Sequence, residues 1–175
     1  ALVANRADKS IGVLAIEAGE VRLVQSVPME DEVAGVAITP DGRHALALKN
    51  AVNKIAVLDI DGRRVTYDKS NDMPVGQFPY NIDITPDGKL ALVAHTGNGG
   101  RPDGHADPIA VIDLTQSPPR VVEYVTAGDA PEAFAISPRG DIVAALLLGG
   151  SILPSTHWAH GRPGMLVIYK IEGTK

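Results

Sequence analysis

An eight-residue segment recurs three times along the chain. Its copies are Gly35–Gly42 (GVAITPDG), Asn81–Gly88 (NIDITPDG) and Ala133–Gly140 (AFAISPRG), and their prolines lie 46 and 52 residues apart. Proline presets φ for a tight turn, and the closing glycine can adopt the left-handed conformation that a hairpin bulge needs. Because repeat periods of this length are typical of solenoids, propellers and arrays, this feature constrains the fold more than any other.

Each turn is followed by two short apolar strands, and the first two turns are followed by a further strand as well. The strand after the second one is the clearest, and its three copies are Ile55–Ile60, Ile109–Leu114 and Leu166–Ile171. These strands are apolar on both faces, which is typical of sheets packed between other sheets. The pattern predicts an all-β fold, a β-propeller made of four-stranded antiparallel blades.

The repeat divides the chain into four units. Residues 1–31 are expected to form an incomplete blade without its first strand, and 32–78 and 79–130 form complete blades. Residues 131–175 are expected to form an incomplete blade without its last strand. A closed propeller has typically 4–8 blades, so we interpret this chain as about three and a half blades of a larger ring. We expect an upstream part before Ala1, or partner chains that associate through the exposed blade edges.

Composition excludes several classes of function. The formal net charge is −5 with no basic cluster, so we expect no nucleic-acid partner. The chain has no cysteine, which removes disulfides, thiol catalysis, zinc fingers and haem attachment through thioethers. The longest apolar run has six residues, Val143–Leu148. A membrane span needs about 20, so no membrane span is expected.

The repeated pattern ITPDG-x-x-AL-x-A followed by IAV-[IL]-D-[IL] resembles the YVTN family of β-propeller repeats, which are WD40-like in shape. The segment Ala1–Arg6, with Ser10, Ile11 and Gly19–Val21 after it, is similar to the seven-bladed lactonase-like propellers. The resemblance covers nearly the whole chain and implies a ring of about seven blades. It also implies a periplasmic or extracellular location. The YVTN letters themselves are replaced in Ala1–Asn5 and in Leu92–His95, which leaves the subfamily open.

The repeat also serves as an internal control for site prediction, because a residue found in the same position of several units is structural. Asp59 and Asp113 share one such position. The loops between the second and third strands differ, since the third and fourth units carry insertions of 8 and 13 residues relative to the other two. Adjacent blades place these loops side by side on one rim, and insertions that map to one face of a repeat protein mark a binding face.

These two loops hold four of the five histidines and the only tryptophan. The predicted ligand-binding residues in the first are His95, Arg101, Asp103, His105 and Asp107. Those in the second are His157, Trp158, His160 and Arg162. Asp83 is added because the first strands of other units have alanine in its position and because first strands line the channel of a propeller. Asp83 could equally be a hydrogen-bonded structural residue, and Trp158 could pack on its own loop.

The side chains of the two loops are compatible with two ligand chemistries. Imidazole and carboxylate groups ligate metals, and His157 with His160 or His105 with Asp107 could converge, but neither pair has a recognised metal-site spacing. We therefore assign no metal, and the sequence leaves any cofactor unknown. The run Gly97–Gly100 beside Arg101 offers backbone donors for a phosphate, but phosphate cradles normally open a helix, and Pro102 argues against one.

Two classes of function follow. The preferred one is a non-catalytic binding or scaffold propeller whose His-rich rim loops hold a small-molecule ligand or a protein, with Trp158 as an anchor. The alternative is a lactonase-like hydrolase acting at the central channel, with a loop histidine or Asp83 as the base. The chain has neither a Gly-x-Ser-x-Gly elbow nor a His-Glu-x-x-His motif.

Overall fold

The computed structural model describes residues 1–173, which form four antiparallel sheets, here called blades A to D. Blade A contains β1 (Leu2–Asn5), β2 (Ser10–Glu17) and β3 (Glu20–Pro28). Blade B contains β4 (Val36–Ile38), β5 (His44–Lys49), β6 (Lys54–Asp61), β7 (Arg64–Tyr67) and β8 (Met73–Pro74). Blade C contains β9 (Pro79–Ile84), β10 (Leu90–His95), β11 (Asp107–Asp113) and β12 (Arg120–Gly128). Blade D contains β13 (Pro131–Ile136), β14 (Ile142–Leu147) and β15 (Met165–Lys170). The predicted all-β propeller architecture is confirmed.

The three repeated turns close in the same way. The glycines at their ends, Gly42, Gly88 and Gly140, have φ values of 70°, 71° and 73°. In the first turn the Thr39 hydroxyl donates to the Asp41 carboxylate over 2.6 Å and accepts the His44 N–H over 3.1 Å. The second turn repeats these bonds, and the third substitutes serine for threonine. These side-chain bonds fix where each second strand begins, and so fix the register of each blade.

The core lies between the blades. Three clusters of buried aliphatic side chains fill the A–B, B–C and C–D interfaces, with alanines such as Ala47, Ala91 and Ala145 where two sheets approach closely. Both faces of β5 and β10 are buried, which explains their continuous apolar sequences. The inner strands β4, β9 and β13 lie next to one another across the blades.

The structure differs from the expected four strands in blade B. The outer strand is interrupted after β7 by a single 3-10 turn, Lys69–Asn71, and resumes as β8, which pairs with the other end of β6. The interruption turns Tyr67 and Asp72 toward the interior, where both contact Lys49. The bend in the outer strand thus supplies acceptors to a buried cation.

Blades A and D each have three strands among the described residues, and the predicted range of the last unit includes Thr174 and Lys175, which lie outside them. The outer faces of these two blades expose large aliphatic side chains, among them Leu23, Leu146 and Leu166. The helical segments of residues 1–173 are single 3-10 turns, and none has the length or apolar character needed to cross a membrane.

Candidate functional site

The two long loops, 96–106 and 148–164, lie against each other at the same end of blades C and D. The Trp158 ring lies so close to Gly104 that no Cβ would fit there. The Arg162 guanidinium donates to the Gly104 carbonyl over 3.4 Å. The predicted side-by-side placement of the two insertions is therefore confirmed.

A cleft of about 390 Å³ runs between the loops. Its lining combines polar groups of the first loop with apolar groups and a histidine of the second: Asn98, Arg101, Pro102, Asp103, Ile152, Leu153, Pro154 and His157. The volume is within the range of small-molecule sites. Three of the predicted residues, Arg101, Asp103 and His157, thus share one cavity.

His105 forms a dyad with Asp103, which lines the cleft, and His105 itself lies next to that lining without being part of it. The Asp103 Oδ1 lies 3.2 Å from the His105 Nδ1 and accepts the His105 backbone N–H over 2.9 Å. An ionised carboxylate only accepts hydrogen bonds, so the ring proton lies on Nδ1 and Nε2 keeps a free lone pair. The His105 side chain is 77% exposed, so this lone pair is accessible to a reactant. A partner that orients a loop histidine was not predicted.

The base of the first loop is tied to the connector between blades C and D. The Asp129 carboxylate accepts the backbone N–H groups of Asp103 and Gly104 over 3.0 and 2.9 Å. The Asp107 carboxylate accepts the Ala130 N–H over 3.1 Å. Burial raises the pKa of the Asp107 carboxyl, and the nearby Asp103 and Asp129 carboxylates act in the same direction. Asp107 therefore bonds to the backbone that supports the loop and does not line the cleft.

Trp158 is the centre of a small aromatic and cationic cluster. The Arg162 guanidinium lies 4.3 Å from its ring centroid, and the His157 and His105 rings lie 6.0 and 5.9 Å away. The tryptophan remains 61% exposed. It thus joins the two loops and also presents apolar surface next to the dyad.

His157 and His160 differ from His105 in their hydrogen bonds. The His157 Nδ1 accepts the Ala159 N–H over 3.2 Å, which leaves the ring proton on Nε2. The His160 Nδ1 donates to the Leu153 carbonyl over 2.7 Å. Neither pairs with a carboxylate among the described residues. Within residues 1–173, no group of three metal-ligating side chains is placed to hold a metal ion.

His95 does not lie on the loop surface where it was expected. It ends β10 and is fully buried, with Nδ1 3.3 Å from the Pro108 carbonyl oxygen and Nε2 without a partner among residues 1–173. Burial lowers the pKa of His95 to about 4, so the ring is neutral. Because the second strand of blade C continues one residue further inside the fold than the loop boundary suggested, His95 is excluded from contact with a ligand in solution.

Asp83 lies on the inner strand β9, as predicted, and its carboxylate is bonded to the backbone. The Oδ1 atom accepts the Ile84 N–H over 2.9 Å, and Oδ2 accepts the Ile136 N–H of β13 over 3.4 Å. Asp83 therefore links the inner strands of blades C and D. This geometry supports the structural interpretation of Asp83 over the catalytic one.

A polar cluster around Lys49 was missed by the sequence analysis. Lys49 ends β5 and is fully buried, and its Nζ lies 2.8 Å from Asp31 Oδ2 and 2.9 Å from both Asp72 Oδ2 and the Tyr67 hydroxyl. Burial would lower the pKa of Lys49, but the hydrogen bonds that its ammonium donates to Asp31, Tyr67 and Asp72 raise it overall. All three ammonium hydrogens have acceptors, so the cluster is a closed structural network. Its signal in the sequence is a lysine within an apolar strand.

The blades, their interfaces and the repeated turns define the described chain as part of a β-propeller. A sequence model of the family described as Lactonase, 7-bladed beta-propeller, matches residues 30–99. The resemblance to lactonase-like propellers is thereby confirmed, and the YVTN subfamily stays a prediction. No curated protein matches the chain by sequence.

Solved structures share the fold over nearly the whole chain. A chain of hydrazine synthase from Kuenenia stuttgartiensis is 22% identical with a TM-score of 0.69, over 98% of this chain and 47% of that one. Two proteins named as putative 6-phosphogluconolactonases come from Bacteroides uniformis and Bacteroides fragilis. The first is 13% identical with a TM-score of 0.71, over 97% of this chain and 54% of that one. The second is 15% identical with a TM-score of 0.62, over 82% and 43%. The chain therefore spans about half the length of the structures it matches.

Proposed function

We propose that this chain carries the general base of a lactonase-like hydrolase, a protein that opens a cyclic ester with water. The observation that carries the proposal is the His105–Asp103 dyad, in which a carboxylate orients an accessible imidazole beside a cleft. The family match over residues 30–99 and the names of the two Bacteroides proteins support the reaction class.

The dyad can perform both proton transfers that the reaction needs. His105 Nε2 takes a proton from water while the water oxygen bonds to the ester carbonyl carbon. The ring C–O bond then breaks, and the imidazolium returns its proton to the leaving oxygen, which gives an open hydroxy acid. Asp103 holds the reactive tautomer and stabilises the imidazolium that forms between the two steps.

The cleft provides groups that can hold the substrate. Arg101 and Asn98 supply hydrogen-bond donors next to Asp103, and Ile152 and Leu153 supply an apolar wall. The proton on His157 Nε2 is a further donor at the cleft. Donors of this kind stabilise the negative charge that develops on the carbonyl oxygen during attack.

The test is hydrolysis of a panel of γ- and δ-lactones by the purified protein, followed by acid release at constant pH. We expect His105→Ala to lower kcat/KM by roughly 100-fold or more, as removal of a general base does. The matched control is His44→Ala, because His44 also faces a carboxylate, Asp59, over 3.5 Å but at the opposite end of its blade.

Two results would contradict the proposal. One is a His105→Ala variant as active as the unmodified protein. The other is a panel in which no lactone is hydrolysed although ligands bind the cleft, a result that favours the non-catalytic binding function.

A further inference from the structure

Two carboxylates and two stretches of backbone form a reciprocal clamp between the first long loop and the connector Asp129–Ala130. Asp129 accepts two N–H groups of the loop, over 3.0 and 2.9 Å. In return, Asp107, the first residue of β11 and the next residue after the loop, accepts the Ala130 N–H of the connector over 3.1 Å. The three bonds have ordinary hydrogen-bond lengths, and together they tie the loop and the start of β11 to the connector.

The connector and the loop that these bonds join differ in how much regular structure holds each of them. Asp129 and Ala130 are the whole connector between β12 and β13, so both are held by the sheets of blades C and D. The loop 96–106 contains a single 3-10 turn, Asn98–Gly100, and no strand. The position of the loop beyond that turn therefore depends on what holds it from outside.

The clamp acts on the peptide that carries the dyad. Asp129 holds the N–H groups of Asp103 and Gly104, which fixes the backbone from which the Asp103 side chain projects. The Asp103 carboxylate then binds both the backbone N–H and the Nδ1 of His105. On the other side, the Arg162 guanidinium donates to the Gly104 carbonyl.

We infer that Asp129 is a positioning residue that holds the His105–Asp103 dyad in its reactive arrangement. The inference deepens the proposed function and rests on it for its catalytic consequence. Asp129 acts on His105 through the backbone of residues 103 and 104 and is absent from the lining of the cleft. Its loss therefore changes the arrangement of the reacting groups more than it changes the groups that hold the substrate.

The experiment compares Asp129→Ala and Asp129→Asn with the unmodified protein in two measurements. The first is nitrogen NMR of the His105 ring, which reports the fraction of the Nδ1–H tautomer. Its signals are assigned by their loss in His105→Ala. The second is kcat and KM for the hydrolysed lactone. Asp113→Asn is the matched control, since Asp113 also accepts a backbone N–H (2.8 Å) and a hydroxyl (2.6 Å), from Thr115.

We expect Asp129→Ala to lower kcat by roughly 100-fold, as a misplacement of about 1 Å does, with KM changed less than roughly threefold. The Nδ1–H signal of His105 should weaken, because the ring is then no longer held against the Asp103 carboxylate. Asp129→Asn keeps one acceptor oxygen, so its kcat should lie between those of Asp129→Ala and the unmodified protein, with a loss of roughly tenfold. The control should change neither measurement.

The inference is overturned if the fraction of the His105 Nδ1–H tautomer is the same in Asp129→Ala as in the unmodified protein. It is also overturned if KM rises while kcat stays constant, since that pattern indicates a role in binding. The NMR measurement does not depend on activity. If the unmodified protein hydrolyses nothing while Asp129→Ala changes the His105 ring, the proposed function fails and the positioning role stands.

Discussion

Lys49 in blade B and His95 in blade C occupy the same position of the repeat, the last residue of the second strand, and both are fully buried. Their electrostatic states are opposite. Lys49 keeps its charge, with three oxygen acceptors within 2.9 Å of Nζ. His95 is neutral, with Nδ1 3.3 Å from one carbonyl oxygen, and its Nε2 has no hydrogen-bond partner in the part of the chain that the structure describes.

The difference comes from the outer strands. In blade B the strand breaks between β7 and β8 and turns Tyr67 and Asp72 inward. In blade C the strand β12 is continuous and presents the Tyr124 ring, whose centroid lies 6.1 Å from that of His95. Gly76 leaves room for the imidazole, since a Cβ there would lie 3.0 Å from the ring. At this buried position the side chain is thus charged only where the neighbouring strand places oppositely charged side chains within hydrogen-bond distance.

The comparison predicts that Lys49→Met has the largest effect on stability. The substitution leaves the Asp72 carboxylate, whose side chain is 1% exposed, and the Asp31 carboxylate without a cation. Breaking a buried ion pair by removing one partner costs about 3–5 kcal/mol of unfolding free energy. Urea unfolding at pH 7, followed by circular dichroism, measures the loss.

A compensating variant separates lost charge pairing from lost packing. Lys49→Met combined with Asp72→Asn should recover part of the stability, because the uncompensated carboxylate is then absent. If the double variant is as unstable as the sum of the two single variants, charge pairing is not what Lys49 provides.

The His95 side of the comparison predicts a dependence on pH. The pKa of His95 is about 4 in the folded protein and 6.5 in its ordinary state. As the pH falls below about 6.5, the unfolded chain binds a proton that the folded protein does not, so stability falls by up to about 3 kcal/mol near pH 4. Above about pH 6.5 the His95 ring is neutral in both the folded and the unfolded protein, so it contributes no pH dependence to stability.

The measurement is the unfolding free energy between pH 7.5 and pH 4.5 for the unmodified protein and for His95→Asn, which introduces the residue of the same position in blade A, Asn5. Other titrating groups contribute equally to both proteins. The difference between the two curves should grow as the pH falls, and parallel curves would show that His95 is not protonated on unfolding in this range.

The repeat allowed the fold to be predicted from the sequence, because turn chemistry and strand periodicity are local. The Thr39-Pro40-Asp41-Gly42 turn closes through the side chains of Thr39 and Asp41, with bonds that reach no further than His44, so a short local segment suffices to place it. The interruption of the outer strand in blade B was not predicted. It depends on a contact between Asp72 and Lys49, which are 23 residues apart.

The candidate site could be predicted only in part, because some of its features are local in the sequence and others depend on distant contacts. Loop length located the rim where Arg101, Asp103 and His157 meet, since insertions must leave the sheet. The rule that a residue unique to one unit is functional selected His95 and Asp83 as well, and the structure places both in backbone hydrogen bonds. The rule cannot distinguish a solvent-accessible side chain from one that is buried or bonded to the backbone, because burial depends on the neighbouring blades.

The smallest expected loss of stability tests whether burial determines how much an ion pair contributes to the free energy of unfolding. Arg6 and Glu32 form a bond of 2.9 Å, as short as those of Lys49, but their side chains are 50% and 42% exposed. Glu32→Gln should therefore cost less than about 1 kcal/mol, and sodium chloride at high concentration should reduce even that. Urea unfolding at low and high salt, alongside Lys49→Met, measures both. A loss for Glu32→Gln as large as that for Lys49→Met would mean that bond length, and not desolvation, sets the difference between the two pairs.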